Sequence, residues 1–164
     1  MRLGDLLHRD VVRVGLKAHT KEEVIAELVD VLVDAHEIPL NLRDHALDVI
    51  LERESHHSTG MEHGVAVPHG YTDRVDDVIA AIGICKEGIP FESLDGIAAR
   101  MIILLLLPRR TYHDNPHTMA GIAHLLANRE LRDRLKKAND ATAVMRAIED
   151  EEARETFYNI RARV

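Results

Sequence analysis

The chain contains seven consecutive apolar residues, Met101 to Leu107, and this run constrains its fold more than any other feature. A membrane-spanning helix needs about 20 apolar residues, so the run is far too short to cross a bilayer. Short, uninterrupted apolar runs are typical of strands that are covered on both faces. Met101 to Leu107 is therefore predicted to be an interior strand with helices packed on either side.

Two other apolar runs have the same character. Val78 to Cys85 indicates a second interior strand, and Val65 to Val67 is long enough for a short strand but too brief for a helix. Turn-forming residues stand between the two long runs, at Lys86 to Pro90 and at Asp95-Gly96. The middle of the chain therefore predicts three strands, with turns between the second and the third.

The residues before these strands have helical spacing. Thr20 is predicted to cap a helix that begins at Lys21 and ends near His36, because apolar residues recur there at helical intervals and glutamates occupy the first turn. Asn41 is predicted to cap a second helix, which ends at about Glu54. Two helices are thus expected before the first strand.

The residues after the strands are helical again. Asn115 and Pro116 are predicted to be the cap and first residue of a third helix, and two more helices are expected near 129–138 and 141–152. Helices on both sides of the strands in sequence imply a layered α/β fold, with a mixed β-sheet flanked by helices on both faces. We expect one domain over residues 1–152 and a charged C-terminal extension over 153–164.

The net charge of −7 disfavours binding to nucleic acids and insertion at anionic membranes, because both carry negative charge themselves. Aromatic residues make up only 3% of the chain, so the stacking surfaces of single-strand binders are missing as well. The lone Cys85 cannot form an internal disulfide, and no long apolar leader follows Met1. We expect a cytoplasmic protein that acts on small molecules or other proteins.

Four of the eleven histidines fall in one segment, at His56, His57, His63 and His69. A single histidine in such a polar connection is usually an exposed residue without chemistry. His69 differs because it follows the strand Val65 to Val67, and open α/β sheets bind ligands at strand ends. Pro68 and Gly70 give its ring a rigid support with open space beside it. A neutral imidazole there is a good nucleophile at cytosolic pH, so phosphoryl acceptance is chemically reasonable.

Two other interpretations of this segment compete with a nucleophilic histidine. Histidines are common zinc ligands, but intervals of one, six and six residues are unlike the tight ligand pairs of one helix face. Cys85 could act as a nucleophile beside a histidine, but a lone cysteine in a central strand is usually a small buried apolar residue. We therefore expect no metal and no cofactor.

The segment resembles the signature of the IIA components of the fructose/mannitol class in the bacterial phosphoenolpyruvate-dependent sugar phosphotransferase system. This class includes the nitrogen-regulatory IIA proteins. The matching residues are Arg53-Glu54, Ser58-Thr59-Gly60 and Gly64 to Gly70. The resemblance extends over about residues 3–152, and the spacing from Arg53 to His69 makes it specific.

In that family, the histidine of the Pro-His-Gly motif accepts a phosphoryl group from a phosphohistidine on a small carrier protein, then passes it on or holds it as a signal. The resemblance implies that His69 is the acceptor and that Arg53 meets the phosphoryl group, a role that suits a guanidinium because it can bind two phosphate oxygens at once. Thr59 is a further candidate for phosphate binding through its hydroxyl. The implied partners are a histidine phosphocarrier protein as donor and a IIB component or a regulated target.

The chain departs from the sugar-transporting members at one position. Those members carry a second histidine at the start of the helix after the third apolar strand, and here that position is Asn115, flanked by His113 and His117. The first turn of a helix offers unpaired N–H groups to an anion, so we expect His117 to assist phosphate binding more than His113. Asn115 itself is a further candidate for phosphate binding.

The expected function is that of a phosphocarrier or phospho-regulatory IIA protein. The nitrogen-regulatory type is favoured over fructose transport, because the second histidine is missing and no IIB or membrane segment is attached. The alternatives are a non-catalytic IIA-like binding module and a histidine metal-binding protein.

Overall fold

The computed structural model describes residues 2–163, and of Asn115 it describes the backbone alone. The helices within those residues are α1 (Leu3–Leu6), α2 (Lys21–Asp34), α3 (Arg43–His56), α4 (Asn115–Leu126), α5 (Arg129–Lys137) and α6 (Ala141–Arg161). The strands are β1 (Val12–Val14), β2 (Val65–Ala66), β3 (His69–Thr72), β4 (Ile79–Ile89) and β5 (Ala99–Pro108). Short 3-10 turns cover Arg9–Val11, Leu40–Leu42 and Arg109–Asp114.

The strands form one mixed sheet around β5. β4 pairs antiparallel with one side of β5, and β1 lies parallel to β4 at the outer edge. On the other side of β5, β2 and β3 pair parallel with successive parts of the same strand. β5 is buried from Met101 to Pro108, and because successive side chains of a strand point to opposite faces, both faces of the sheet are covered.

Two pairs of helices provide this cover. α2 packs on α3, and both contact the strands, while α5 packs on α6 and the two contact β4, β5 and β1. The predicted α/β fold, a mixed sheet flanked by helices, is confirmed.

The start of α2 is as predicted, whereas the start of α3 is not. Thr20 Oγ1 accepts a hydrogen bond of 3.2 Å from the N–H of Glu23, which satisfies one of the free donors of the first turn of α2. Asn41 caps no helix, because it lies inside the 3-10 turn Leu40–Leu42 and α3 begins at Arg43 without a side-chain cap. The turn buries Leu42 in the core.

The strands also differ from the prediction in two places. The turn predicted at Lys86 to Pro90 is wrong, because β4 continues to Ile89, which pairs with Ala99 after a register shift. Gly88 lies within this irregular stretch at φ +84°, a conformation that glycine adopts without strain. β1 was not predicted, since three residues are too few to give a periodic signal.

The C-terminal helices follow the predicted order, but two of their bounds are different. α4 begins at Asn115 itself, so the cap position belongs to Asp114 rather than to Asn115. α6 runs through position 152 to Arg161, so the predicted extension continues a helix. Arg2, which directly precedes α1, donates a hydrogen bond to Thr156 in this extension. No helix of residues 2–163 has the length and apolar character to span a membrane.

Candidate functional site

His69 is the first residue of β3, at a junction between two strand segments. Val67 and Pro68 separate β2 from β3, and His69 then pairs with Leu105 of β5. His69 thus lies beyond the end of β2, as predicted, and the chain resumes pairing with β5 at His69 itself. The residue is only 6% exposed, so its ring is held by the sheet rather than by a mobile connection.

The Nδ1 atom of His69 lies 2.9 Å from the carbonyl oxygen of Val67. Because a carbonyl oxygen can only accept a hydrogen bond, Nδ1 carries the proton of the neutral ring. Nε2 is therefore left with its lone pair, which makes it the nucleophilic nitrogen.

Burial lowers the pKa of His69 below its ordinary value of 6.5. The hydrogen bond to the Val67 carbonyl acts in the opposite direction, the positive charge of Arg53 lowers the pKa further, and the negative charge of Glu54 raises it. The net shift keeps the ring neutral at pH 7, the state in which Nε2 can attack an electrophile.

Gly70 allows α3 to approach β3 closely. A Cβ atom at this position would lie 3.0 Å from Cγ2 of Val49, and 3.1 Å from both Cγ1 and the backbone N of Ile50. The close approach that Gly70 is predicted to allow is thus made by α3. Open space beside the His69 ring stays a prediction. The same close packing fixes the end of α3 beside His69.

Arg53 lies in the last turn of α3 and is partly buried. Its Nη1 atom donates a hydrogen bond of 2.9 Å to the carbonyl oxygen of His57, and its charge is close enough to His69 to lower the pKa of that ring. A guanidinium has five N–H donors, so others are available to a phosphoryl group. The structure thus brings together the two residues that the sequence motif singled out.

Glu54 and Thr59 form a buried pair next to this site. The carboxylate of Glu54 accepts hydrogen bonds from the backbone N–H of Thr59 at 2.9 Å and from its hydroxyl at 2.5 Å, and Nζ of Lys21 lies 3.4 Å away. The hydroxyl proton of Thr59 is thus directed to Glu54. Phosphate binding by Thr59 stays a prediction, and it would require this proton to turn away from the carboxylate.

Sequence reasoning missed the structural role of Glu54 and Lys21. Burial disfavours the charge of Lys21, but Glu54 and Glu92 outweigh this effect and raise the pKa of the ammonium group. The ion pair ties the first turn of α2 to the last turn of α3. Glu54 adjoins Arg53 in the matching motif, and that adjacency was the one signal that could have pointed to it.

The two histidines that flank Asn115 lie on either side of the start of α4. His113 and His117 are both exposed, and the ring of His113 contacts that of Tyr112. No ring contact or hydrogen bond within residues 2–163 joins His117 to His69. The side chain of Asn115 lies outside the described part of the structure. The preference for His117 over His113 stays a prediction.

The remaining histidines of the segment lie at the surface. His56, His57 and His63 are exposed, and in the part of the chain described here no three His, Cys, Asp or Glu side chains are arranged to hold a metal ion. Cys85 is a buried free thiol in β4.

The family model described as "Phosphoenolpyruvate-dependent sugar phosphotransferase system, EIIA 2" matches residues 5–151. The chain belongs to this EIIA family. The match includes His69, Arg53 and Thr59, and it ends inside α6. The resemblance noted in the sequence is thereby confirmed.

Curated EIIA relatives are of two kinds. The fructose-specific EIIA component of Haloferax volcanii is 33% identical over 125 residues, which make up 76% of this chain and 80% of that protein. The fructose-specific EIIABC component of Bacillus subtilis is 32% identical over 145 residues; these cover 88% of this chain but only 22% of the relative. The nitrogen regulatory protein of Bradyrhizobium diazoefficiens is 28% identical over 144 residues, covering 88% of this chain and 92% of the relative.

Solved EIIA structures have the same fold. The nitrogen regulatory protein IIA-Ntr of Neisseria meningitidis superposes with a TM-score of 0.79 at 21% identity, over 89% of this chain and 98% of that one. IIA mannitol of Escherichia coli superposes with a TM-score of 0.73 at 25% identity, over 87% and 98% of the two chains.

Proposed function

We propose that this EIIA protein accepts a phosphoryl group on Nε2 of His69 from a histidine phosphocarrier protein, as a phosphocarrier or phospho-regulatory component. The observation that carries the proposal is the hydrogen bond from Nδ1 to the Val67 carbonyl, which selects Nε2 as the free nucleophile of a buried, neutral ring. Membership of a phosphotransferase family supports the same chemistry.

The transfer step balances without moving a proton. The lone pair of Nε2 attacks phosphorus, and the new N–P bond forms as the N–P bond of the donor breaks. The donor ring, which carries a proton on its other nitrogen, leaves as neutral imidazole with the electron pair of the broken bond. His69 becomes a positively charged phosphoimidazolium ring, because Nδ1 keeps its proton. The Val67 carbonyl and Glu54, which both raise the pKa of the free ring, favour that charge, whereas Arg53 opposes it.

Arg53 is the residue proposed to bind the phosphoryl oxygens. In phosphoryl transfer the protein mainly positions the reactants and neutralises charge on the equatorial oxygens, and a guanidinium does both. The bond from Nη1 to the carbonyl of His57 holds the side chain at the end of α3.

We favour the nitrogen-regulatory type over sugar transport. Asn115 replaces the second histidine that the resemblance associates with transport, and the nitrogen regulatory relatives match along most of their own length. A second candidate, a fructose-type relay to a IIB component, is supported by the higher identity of 33% to the Haloferax volcanii EIIA component. A IIB protein is the partner of the Escherichia coli mannitol IIA in a solved complex. Either function places the protein in the cytoplasm with its donor.

The test is incubation with phosphoenolpyruvate and the two general phosphotransferase proteins, followed by intact mass measurement. We expect a gain of one phosphoryl group that is lost in acid, is absent in His69→Ala and persists in the control His63→Ala, which removes an exposed histidine of the same segment. Labelling of His69→Ala at the parental rate would refute the assignment.

The phosphorylated protein is then mixed with a fructose-class IIB protein. We expect the phosphoryl group to stay on His69, as suits a regulatory protein. Rapid transfer to the IIB protein would favour the sugar-transport candidate instead.

A further inference from the structure

Four aromatic rings form a contact series that leads from His69 to the surface. The centroids of His69 and Tyr71 lie 6.2 Å apart with the ring planes at 88°, those of Tyr71 and Tyr112 lie 5.0 Å apart at 58°, and those of Tyr112 and His113 lie 5.9 Å apart at 84°. All three separations fall in the range of favourable edge-to-face or tilted pairs. The series begins at a residue with 6% exposure and reaches Tyr112, which is 60% exposed.

The strand geometry explains why this series exists. His69 and Tyr71 are two residues apart on β3 and so point to the same face of the strand, whereas Gly70 points to the opposite face, toward α3. The 3-10 turn Arg109–Asp114 directly follows β5, the neighbour of β3, and this places Tyr112 against Tyr71. The imidazole therefore has a hydrogen bond at Nδ1 and an aromatic neighbour beside it.

These two contacts restrain different motions of the ring. The bond to Val67 restrains Nδ1, but a small concerted rotation about the Cα–Cβ and Cβ–Cγ bonds would keep that bond and still move Nε2. The perpendicular contact with Tyr71 opposes this rotation, and Tyr112 supports Tyr71 from the outside. In-line transfer requires the Nε2 lone pair to point at phosphorus, so loss of this support misaligns the nucleophile.

We propose that Tyr112 is a positioning residue for phosphoryl transfer, acting through Tyr71 on the orientation of the His69 ring. The inference rests on the proposed function of His69. Tyr112 makes no bond to the phosphoryl group in this proposal. What it provides is an aromatic ring, so Tyr112→Phe should retain the effect and Tyr112→Ala should remove it.

The chain offers a matched control. Tyr158 of α6 is 65% exposed and makes a similar edge contact, with Phe157 at 6.4 Å between centroids. Tyr158→Ala therefore removes the same kind of side chain, an exposed tyrosine with one edge contact, from a place outside the ring series that begins at His69.

The experiment measures single-turnover transfer from phosphorylated carrier protein over a range of carrier concentrations. For Tyr112→Ala we expect the limiting rate constant to fall by about 10-fold, with the half-saturating concentration unchanged. This is less than the rate loss of about 100-fold that a reactant misplaced by a full ångström can cause. Tyr112→Phe and Tyr158→Ala should keep the parental rate constant. A change confined to the half-saturating concentration would assign Tyr112 to docking of the carrier and overturn the inference.

A second measurement does not depend on phosphorylation. The ring nitrogens of His69 in the unphosphorylated protein, assigned by comparison with His69→Ala, should shift in the nitrogen NMR spectrum of Tyr112→Ala and remain in place in the other two variants. Unchanged His69 resonances in Tyr112→Ala would refute the inference. Failure of the parent protein to take up a phosphoryl group, with the shift present, would instead refute the proposed function, while the effect of Tyr112 on the orientation of the His69 ring would stand.

Discussion

Replacement of Gly70 by alanine tests whether the close packing of α3 on β3 sets the geometry of the site. The added methyl group would lie 3.0 Å from Cγ2 of Val49 and 3.1 Å from the backbone N of Ile50. A side chain such as Val49 can rotate, but a backbone nitrogen inside a helix moves only with the helix. We therefore expect Gly70→Ala to displace α3 from β3 by a few tenths of an ångström, and Arg53 with it.

The magnitude follows from the cost of overpacking. Forcing an extra carbon into a well-packed core costs about 1–3 kcal/mol of the free energy of unfolding. For a chain of this size, that loss lowers Tm by about 2–12 °C. A displacement well below 1 Å should slow transfer to His69 by roughly 10-fold, since a shift of a full ångström can cost about 100-fold.

The matched control is Gly121→Ala. Gly121 lies in α4, and a Cβ atom there would meet nothing within 4 Å. The same substitution should therefore stabilise the protein, by about 0.5–1 kcal/mol, because alanine favours the helix over the unfolded chain.

The test measures the Tm by thermal unfolding and the transfer rate by single-turnover phosphorylation for both variants. If Gly70→Ala has a Tm equal to or above that of the parent, α3 does not limit the space at this position. If it is destabilised but transfers at the parental rate, the spacing between α3 and β3 does not control the alignment of Arg53 with His69.

Three further outcomes are expected. Arg53→Lys should fold normally but transfer about 100-fold more slowly, because lysine keeps the charge and loses the paired donors; transfer at the parental rate would refute the bidentate role. The rate of phosphoryl uptake at His69 should stay constant as pH falls through 6.5 and decline only below it, because the lowered pKa keeps the ring neutral. The unfolded chain binds this proton at higher pH than the folded protein, so the free energy of unfolding also falls with decreasing pH. A midpoint of the pH-rate profile above 6.5 would show that burial does not lower the pKa of His69. Thr59→Val should lower the free energy of unfolding by about 1–3 kcal/mol, measured by urea denaturation, because a buried carboxylate loses a donor; slowed transfer with unchanged stability would support direct phosphate binding instead.

The secondary structure that could be predicted from sequence is the part that depends on local pattern. Met101 to Leu107 had to be an interior strand, because a continuous apolar run can satisfy its backbone and bury both sets of side chains only between two layers. The cap at Thr20 was equally local, because its hydroxyl and the N–H groups it serves lie within one turn. His69 and Arg53 could be proposed as candidates because their residue types and spacing carry the motif.

Other features depended on which segments meet in space. The residues after Cys85 have the composition of a turn, yet they continue β4 because Ala99 on the partner strand pairs with Ile89. Asn41 has the chemistry of a helix cap, but burial of Leu42 places it in a 3-10 turn. In both places, long-range pairing and burial outweighed a local preference worth about 1 kcal/mol or less.

His69 shows most clearly which features depend on local sequence and which depend on the folded structure. The sequence alone made this residue the candidate acceptor, since its neighbours Pro68 and Gly70 belong to the motif. Which of its ring nitrogens is free depends on the carbonyl of Val67, and which way the ring faces depends on Tyr71 and on a turn about forty residues away. No periodicity or spacing encodes those contacts, because they arise only when β3 and the end of β5 lie side by side in the folded sheet.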